Sequence, residues 1–167
     1  MAEESLRKAE EALNGSDDDR TEEEEERRVE EIAEEIATIA ERADDAALDV
    51  AIDIGVNTLE RMIETSKRRA AFAYADEDAG DGLVQIPYTR AQYLALPRKK
   101  KKIIMMNVKK LVRYSATRKM IDALSSVDST NRRITSRIAV LETRLAEEGR
   151  LLPNTGLWVE AVQRLRK

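Results

Sequence analysis

Apolar residues in this chain recur at spacings of three and four, the period of a helix face, and hardly ever at the spacing of two that a strand requires. From Val29 onward, Ile32, Ile36, Ile39, Ala43, Ala46 and Val50 form a seam of the a/d kind that packs against another helix. The register runs on through Ile54, Leu59, Met62 and Ile63 to Ala70 and Ala73, which predicts one long helix or two collinear ones over residues 29–75, with Gly55 as the place for a bend. The acidic, glycine-containing run at 76–82 ends that element, residues 83–88 are the one extended candidate, and residues 89–96 read as a short helix.

Pro97 suits the start of a further helix. There Ile104, Val108, Leu111 and Ser115 share one face while Lys102, Lys109, Lys110 and Arg113 gather on the opposite one. Beyond Ser125 and Ser126, Ile134, Ile138, Leu141 and Leu145 make another apolar seam that Gly149 closes, with Arg133, Arg137 and Arg144 along its flank. A last helix presents Trp158, Val162 and Leu165, and Met105, Met106 and most of the four tyrosines read as packing residues. At the other end, residues 3–13 suggest a short helix with Leu6, Ala9 and Leu13 on one side, stopped by Asn14-Gly15. Ser16 or Thr21 then offers a cap for an acid-rich helix start. The fold class is therefore all-α: an extended acidic N-terminal arm (1–28) and a helical domain (29–167) whose C-terminal part, 98–167, is basic.

Composition narrows the chemistry. With no Cys and no His, the chain has no disulfide, no thiolate or imidazole metal ligand, and no nucleophile–histidine pair. No phosphate-cradling glycine loop or convincing carboxylate dyad is present either, so no enzyme and no cofactor are expected. The run at 76–82 fails the calcium-loop test, because its sixth residue is Asp81 rather than Gly and its twelfth is Pro87 rather than Glu; no metal site is expected. No apolar run approaches the ~20 residues of a membrane span and the N-terminus lacks a signal-peptide pattern, so a soluble protein is expected. Abundant Glu, Lys and Arg beside little Asn or Gln matches hyperthermophile usage.

Charge changes the picture most. Residues 1–49 hold 20 acids and 6 bases, whereas residues 98–167 hold 6 acids and 18 bases, an asymmetry that the overall charge of −4 conceals. A strongly cationic half is the footprint of a phosphate-backbone binder. The residues expected to carry that contact are Lys99, Lys100, Lys101, Lys102, Lys109, Lys110, Arg113, Arg133, Arg137 and Arg144, since phosphates repeat along a strand and several cations on rigid elements can meet them. The competing reading is a set of solvated faces neutralised by the acidic half of the same or a neighbouring chain.

Residues 121–152 resemble, loosely, the helix-turn-helix of winged-helix regulators, with Arg132, Arg133, Ser136 and Arg137 turned to DNA. The helix before Gly149 is about a turn too long for that family, and no wing strands follow Pro153. The layout as a whole, a cysteine-free long-helix chain with an N-terminal arm and basic C-terminal helices, resembles the helical major capsid proteins of archaeal filamentous or rod-shaped viruses. That resemblance implies a structural virion protein that wraps double-stranded DNA without reading its sequence. It would pack in a filament with copies of itself or with a paralogous capsid protein, burying the 29–50 seam and the Trp158 helix against neighbours. The alternatives are a helix-turn-helix regulator acting in the cytoplasm, a small helical subunit of a CRISPR-type ribonucleoprotein complex, and a protein-binding adaptor.

Overall fold

The computed structural model describes residues 22–65, 71–78, 82–127 and 130–167. Among them are six helices: α1 (Glu22–Arg42), α2 (Asp45–Thr65), α3 (Arg90–Ala95), α4 (Arg98–Ser126), α5 (Arg132–Arg150) and α6 (Trp158–Arg166). A two-residue parallel pair, β1 (Phe72–Ala73) with β2 (Val84–Gln85), is the only sheet among the described residues. The fold is all-α. The helix expected over 3–13, its stop at Asn14-Gly15 and the caps at Ser16 and Thr21 lie outside the described residues, and the boundary expected at residue 28 falls inside α1.

The element expected as one long helix or two collinear ones is two helices that are not collinear, and the division is at Ala43-Asp44 rather than at Gly55. Asp44 stops one helix and starts the next: its carboxylate accepts the Ala47 amide at 2.8 Å, the N-cap arrangement that satisfies an orphan donor of a first turn. The chain then folds back, so that α2 runs alongside α1. Gly55 sits in the middle of α2 at the crossing with α1 and α4. A Cβ there would lie 2.6 Å from Met120 Cε, 3.1 Å from Ile32 Cγ2 and 3.2 Å from Ile36 Cδ1, so the glycine allows close packing, and the helix runs through it without a break.

Folding back also divides the apolar register. Ile32 and Ile36 face the core, whereas Ala46 and Val50, continuing the same seam in sequence, are exposed. Past the corner the buried face of α2 is set by Leu48, Ile52, Val56, Leu59 and Ile63. Phe72 and Ala73, expected at the end of a helix, lie in β1 instead, where the Ile86 amide donates to the Ala73 carbonyl at 2.9 Å. Phe72, Tyr74 and Tyr93 pack there with ring centroids 5.4–6.0 Å apart, under the short α3, which a Thr89–Gln92 capping box opens.

α4 is the axis of the bundle, packed against α1, α2, α5 and α6. In its first half one face is buried (Ile104, Val108, Leu111), as expected. From Val112 to Leu124 burial spreads around the cylinder and takes in Tyr114, Ala116, Thr117, Met120 and Ile121. A helix apolar on most sides needs neighbours on most sides, which α1, α2, α5 and α6 supply. Trp158 and Val162 of α6 are buried in this core, so the apolar face of the last helix is used within the chain. Met106, expected to pack, is half exposed.

Candidate nucleic-acid interface

The ten cations expected to meet phosphate fall into two groups with different surroundings. Arg133, Arg137 and Arg144 line the flank of α5 facing α2, whose Asp45, Asp49 and Asp53 recur every fourth residue and so share a stripe. Arg133 Nε lies 3.0 Å from Asp45 Oδ1, Arg137 Nε lies 2.5 Å from Asp49 Oδ1, and Arg144 Nη1 lies 3.3 Å from Asp53 Oδ1. The Arg137 contact is a close ion pair whose Nε–H is not aligned as a hydrogen bond. Three rungs thus tie α5 to α2.

Each of the end rungs does more. Arg133 Nη1 donates to the carbonyls of Ala40 at 2.7 Å and Ala43 at 2.6 Å, the last acceptors of α1, while its Nε holds Asp45 in the first turn of α2. A cation at a helix C-terminus and an anion at a helix N-terminus are both favoured by the helix dipole, so one guanidinium fastens both sides of the corner. Asn131 supports it, donating to the Ala40 carbonyl at 3.1 Å and capping α5 through the Arg133 amide at 2.9 Å. At the other end Arg144 Nε meets Glu148 at 3.1 Å, and Glu148 also accepts the hydroxyl of the fully buried Thr117 at 3.0 Å. A polar chain from α2 through α5 reaches α4, and every member of it has a partner.

The other group lies along the outer face of α4. Lys99, Lys100, Lys102, Lys109 and Lys110 are exposed and make no ion pair with any described residue. Lys101 is half-buried and turns its Nζ toward the Leu94 carbonyl, 3.4 Å away, at the end of α3. Arg113 is exposed and pairs with Glu60 at 3.3 Å. Between α3 and the start of α4 an open depression of about 660 Å³ is lined by Arg98, Lys99, Lys101 and Lys102 over Tyr93 and Met105. Burial, with the neighbouring Tyr74 adding to it, raises the Tyr93 phenol above its ordinary pKa of 10.0, so its floor is neutral at physiological pH.

This end of α4 is electrostatically unusual. Its first turn carries no acid, and Pro97 at its N-cap provides no side-chain hydrogen bond. Cations crowd the positive end of the helix dipole, the reverse of the favoured arrangement, and they repel one another. An anion placed here would meet unpaired backbone N–H groups and ammonium groups together.

Sequence reasoning missed the other use of cations in this half. Besides Arg133, Arg166 Nη2 donates to the Gly149 carbonyl of α5 at 2.8 Å and Arg118 Nη1 donates to the Leu165 carbonyl of α6, so three helix C-termini are closed by arginines from elsewhere in the chain. The Asp45, Asp49, Asp53 spacing was the available signal for the ladder, since it matches the i, i+4 period of Arg133 and Arg137. No family model, curated protein or solved structure matches this chain. Among the described residues no group of acids is placed to hold a metal ion.

Proposed function

We propose that this chain is a structural nucleic-acid-coating protein, a capsid-type subunit that covers double-stranded DNA through its phosphates without reading sequence. The observation that carries the proposal is the outer face of the α4 N-terminal half: five exposed lysines, unpaired by described residues, on a rigid helix whose dipole also favours an anion. Such clustering costs folding stability through like-charge repulsion, and an external polyanion offsets that cost. Lysine ammonium groups on long stems suit a strand whose phosphates must be met wherever they fall, because they bind as point charges and need no fixed fork geometry.

The contact set is revised by this reading. Lys99, Lys100, Lys102, Lys109 and Lys110 bind phosphate, Lys101 and Arg98 line the adjoining depression, and Arg113 joins by exchanging Glu60 for phosphate. Arg133, Arg137 and Arg144 hold α1, α2 and α5 together instead. Because two of the arginines that a helix-turn-helix would aim at base edges are committed to Asp45 and Asp49, no observation here favours the regulator reading over backbone binding.

Packing into a filament also needs apolar area between copies. The α1 part of the seam and the Trp158 helix are consumed inside the monomer, but the outward side of α2 keeps Val50 and Ile54 exposed at 56% and 57%. Paired with the inward Leu48, Ile52 and Val56, they make α2 apolar on two opposite sides while the monomer covers one, the pattern of a helix with a further neighbour. In this reading copies meet through α2 and DNA lies along α4, inside a virion.

The test is electron microscopy of the protein with random-sequence linear double-stranded DNA at low and high salt, together with a salt titration of binding. Filaments of uniform diameter, and a log–log slope of about −4 to −5 as roughly five phosphates lose counterions, are expected. Discrete particles indifferent to random DNA would overturn the reading.

A further inference from the structure

Phosphate binding leaves one feature of the α4 face without a purpose. Ile103 and Met106 stand out among its lysines, 52% and 50% exposed, on the same side of the helix as Lys99, Lys102 and Lys110. Taking 100° per residue, these five positions fall within about a third of the helix circumference. A DNA backbone rewards the ammonium groups and gains nothing from two apolar side chains, whose exposure to water is unfavourable. The acidic outer side of α1 on a second copy, with Glu23, Glu26, Glu30 and Glu34, could neutralise the lysines, but no large apolar side chain of α1 is exposed to cover Ile103 and Met106.

An anionic bilayer surface satisfies both halves of the face at once. Its headgroups attract lysines clustered within a Debye length, and apolar side chains on the lowest ridge of a helix enter the boundary between headgroups and acyl chains. We propose that the outer face of α4 docks on anionic lipid membranes, with Lys99, Lys102, Lys109 and Lys110 at the headgroups and Ile103 and Met106 inserted. This is a peripheral contact, since no described helix is long and apolar enough to cross a membrane. The proposal shares lysines with the nucleic-acid reading but stands on different side chains. The two surfaces compete for α4, so a subunit covered by DNA is withheld from membranes and a free subunit is not.

The experiment is flotation of the full chain with vesicles of pure phosphatidylcholine and of phosphatidylcholine with about 30% phosphatidylglycerol at low salt, beside random-sequence DNA binding by the same proteins. The wild type is expected to float with the anionic vesicles and not with the neutral ones. Ile103→Ser with Met106→Ser is expected to lower anionic-vesicle partition about tenfold while DNA affinity stays within about twofold. Met106→Trp gives an independent readout: its added fluorescence is expected to shift to the blue with anionic vesicles and to stay unshifted with DNA. The proposal is overturned if the wild type does not float, if the double variant floats as well as the wild type, or if that variant loses DNA and vesicle binding in equal measure. Failure of the nucleic-acid reading looks different: random DNA is ignored by the wild type whatever the vesicles do.

Discussion

Two stripes of positive charge run along neighbouring helices of this protein, and they have opposite fates. The arginines of α5 are half-buried and each faces a carboxylate of α2, one of them also closing the end of α1. Lys99, Lys100, Lys102, Lys109 and Lys110 of α4 are exposed and unpaired by described residues. In a one-dimensional reading both were candidates for phosphate. The difference follows from side-chain chemistry and position. A guanidinium presents five donors in a flat fork, so Arg133 can hold two carbonyls and a carboxylate at once, whereas an ammonium is strongly hydrated and gains most by staying in water. Net charge therefore overstates the cationic surface left unpaired, because part of the basic half is neutralised by the acidic half within the same fold.

Several changes would break or sharpen this contrast. The largest effect expected is on binding: Lys102→Glu, Lys109→Glu and Lys110→Glu together should weaken random-sequence DNA binding about a hundredfold, or ~2.7 kcal/mol. Urea unfolding of that variant should stay within about 0.5 kcal/mol of the wild type, since exposed unpaired cations contribute little to stability. Equal losses in both measurements would erase the distinction between the stripes.

Arg133→Ala should do the reverse. It removes two helix-end hydrogen bonds and the Asp45 partner, so a loss of about 2–3 kcal/mol is expected in urea unfolding, with DNA affinity at constant folded fraction unchanged. A smaller cost, about 1–2 kcal/mol, is expected for Thr117→Val, which keeps the shape of a buried side chain but deprives Glu148 of a donor while Arg144 remains. The smallest effect concerns pH. The folded-state pKa of Tyr93 is raised by burial, so its contribution to stability is complete below 10.0 and is lost as pH rises from there through the higher folded value. Unfolding measured between pH 8 and about 11 should show a decline that Tyr93→Phe reduces, with no difference between the two proteins at neutral pH.

Much of the fold was legible along the chain. The period of three and four gave the helical class, Pro97 marked the start of α4, and the Ile104, Val108, Leu111 face was buried as its spacing implied; the apolar face of Trp158 and Val162 was also visible, but it turns to the chain's own core and not to a neighbouring copy. The corner at Ala43-Asp44 was hidden because the apolar register passes straight through it; the Asp at the cap competes locally with a pattern that favours continuation, and Arg133, ninety residues away in sequence, helps decide the outcome. Gly55 was read for its backbone freedom, when its use is the missing side chain at a crossing of three helices. At the candidate site helical phase alone assigned Lys102, Lys109, Lys110 and Arg113 to the side of α4 opposite Ile104, Val108 and Leu111, and all four are exposed.

What the sequence determined by itself is local: which segments can be helices, which side of each is apolar, where like charges accumulate, and the absence of thiol and imidazole chemistry. These depend on neighbours within a turn or two, where spacing stands in for distance. Tertiary structure alone decided which charges are used up. An ion pair or a borrowed helix cap joins residues far apart in the chain, and folding α2 back along α1 while α5 lies beside them brings Asp45, Asp49 and Asp53 to Arg133, Arg137 and Arg144. Lys99, Lys100, Lys102, Lys109 and Lys110 remain in water because no carboxylate stripe of the described fold is carried to that side of α4.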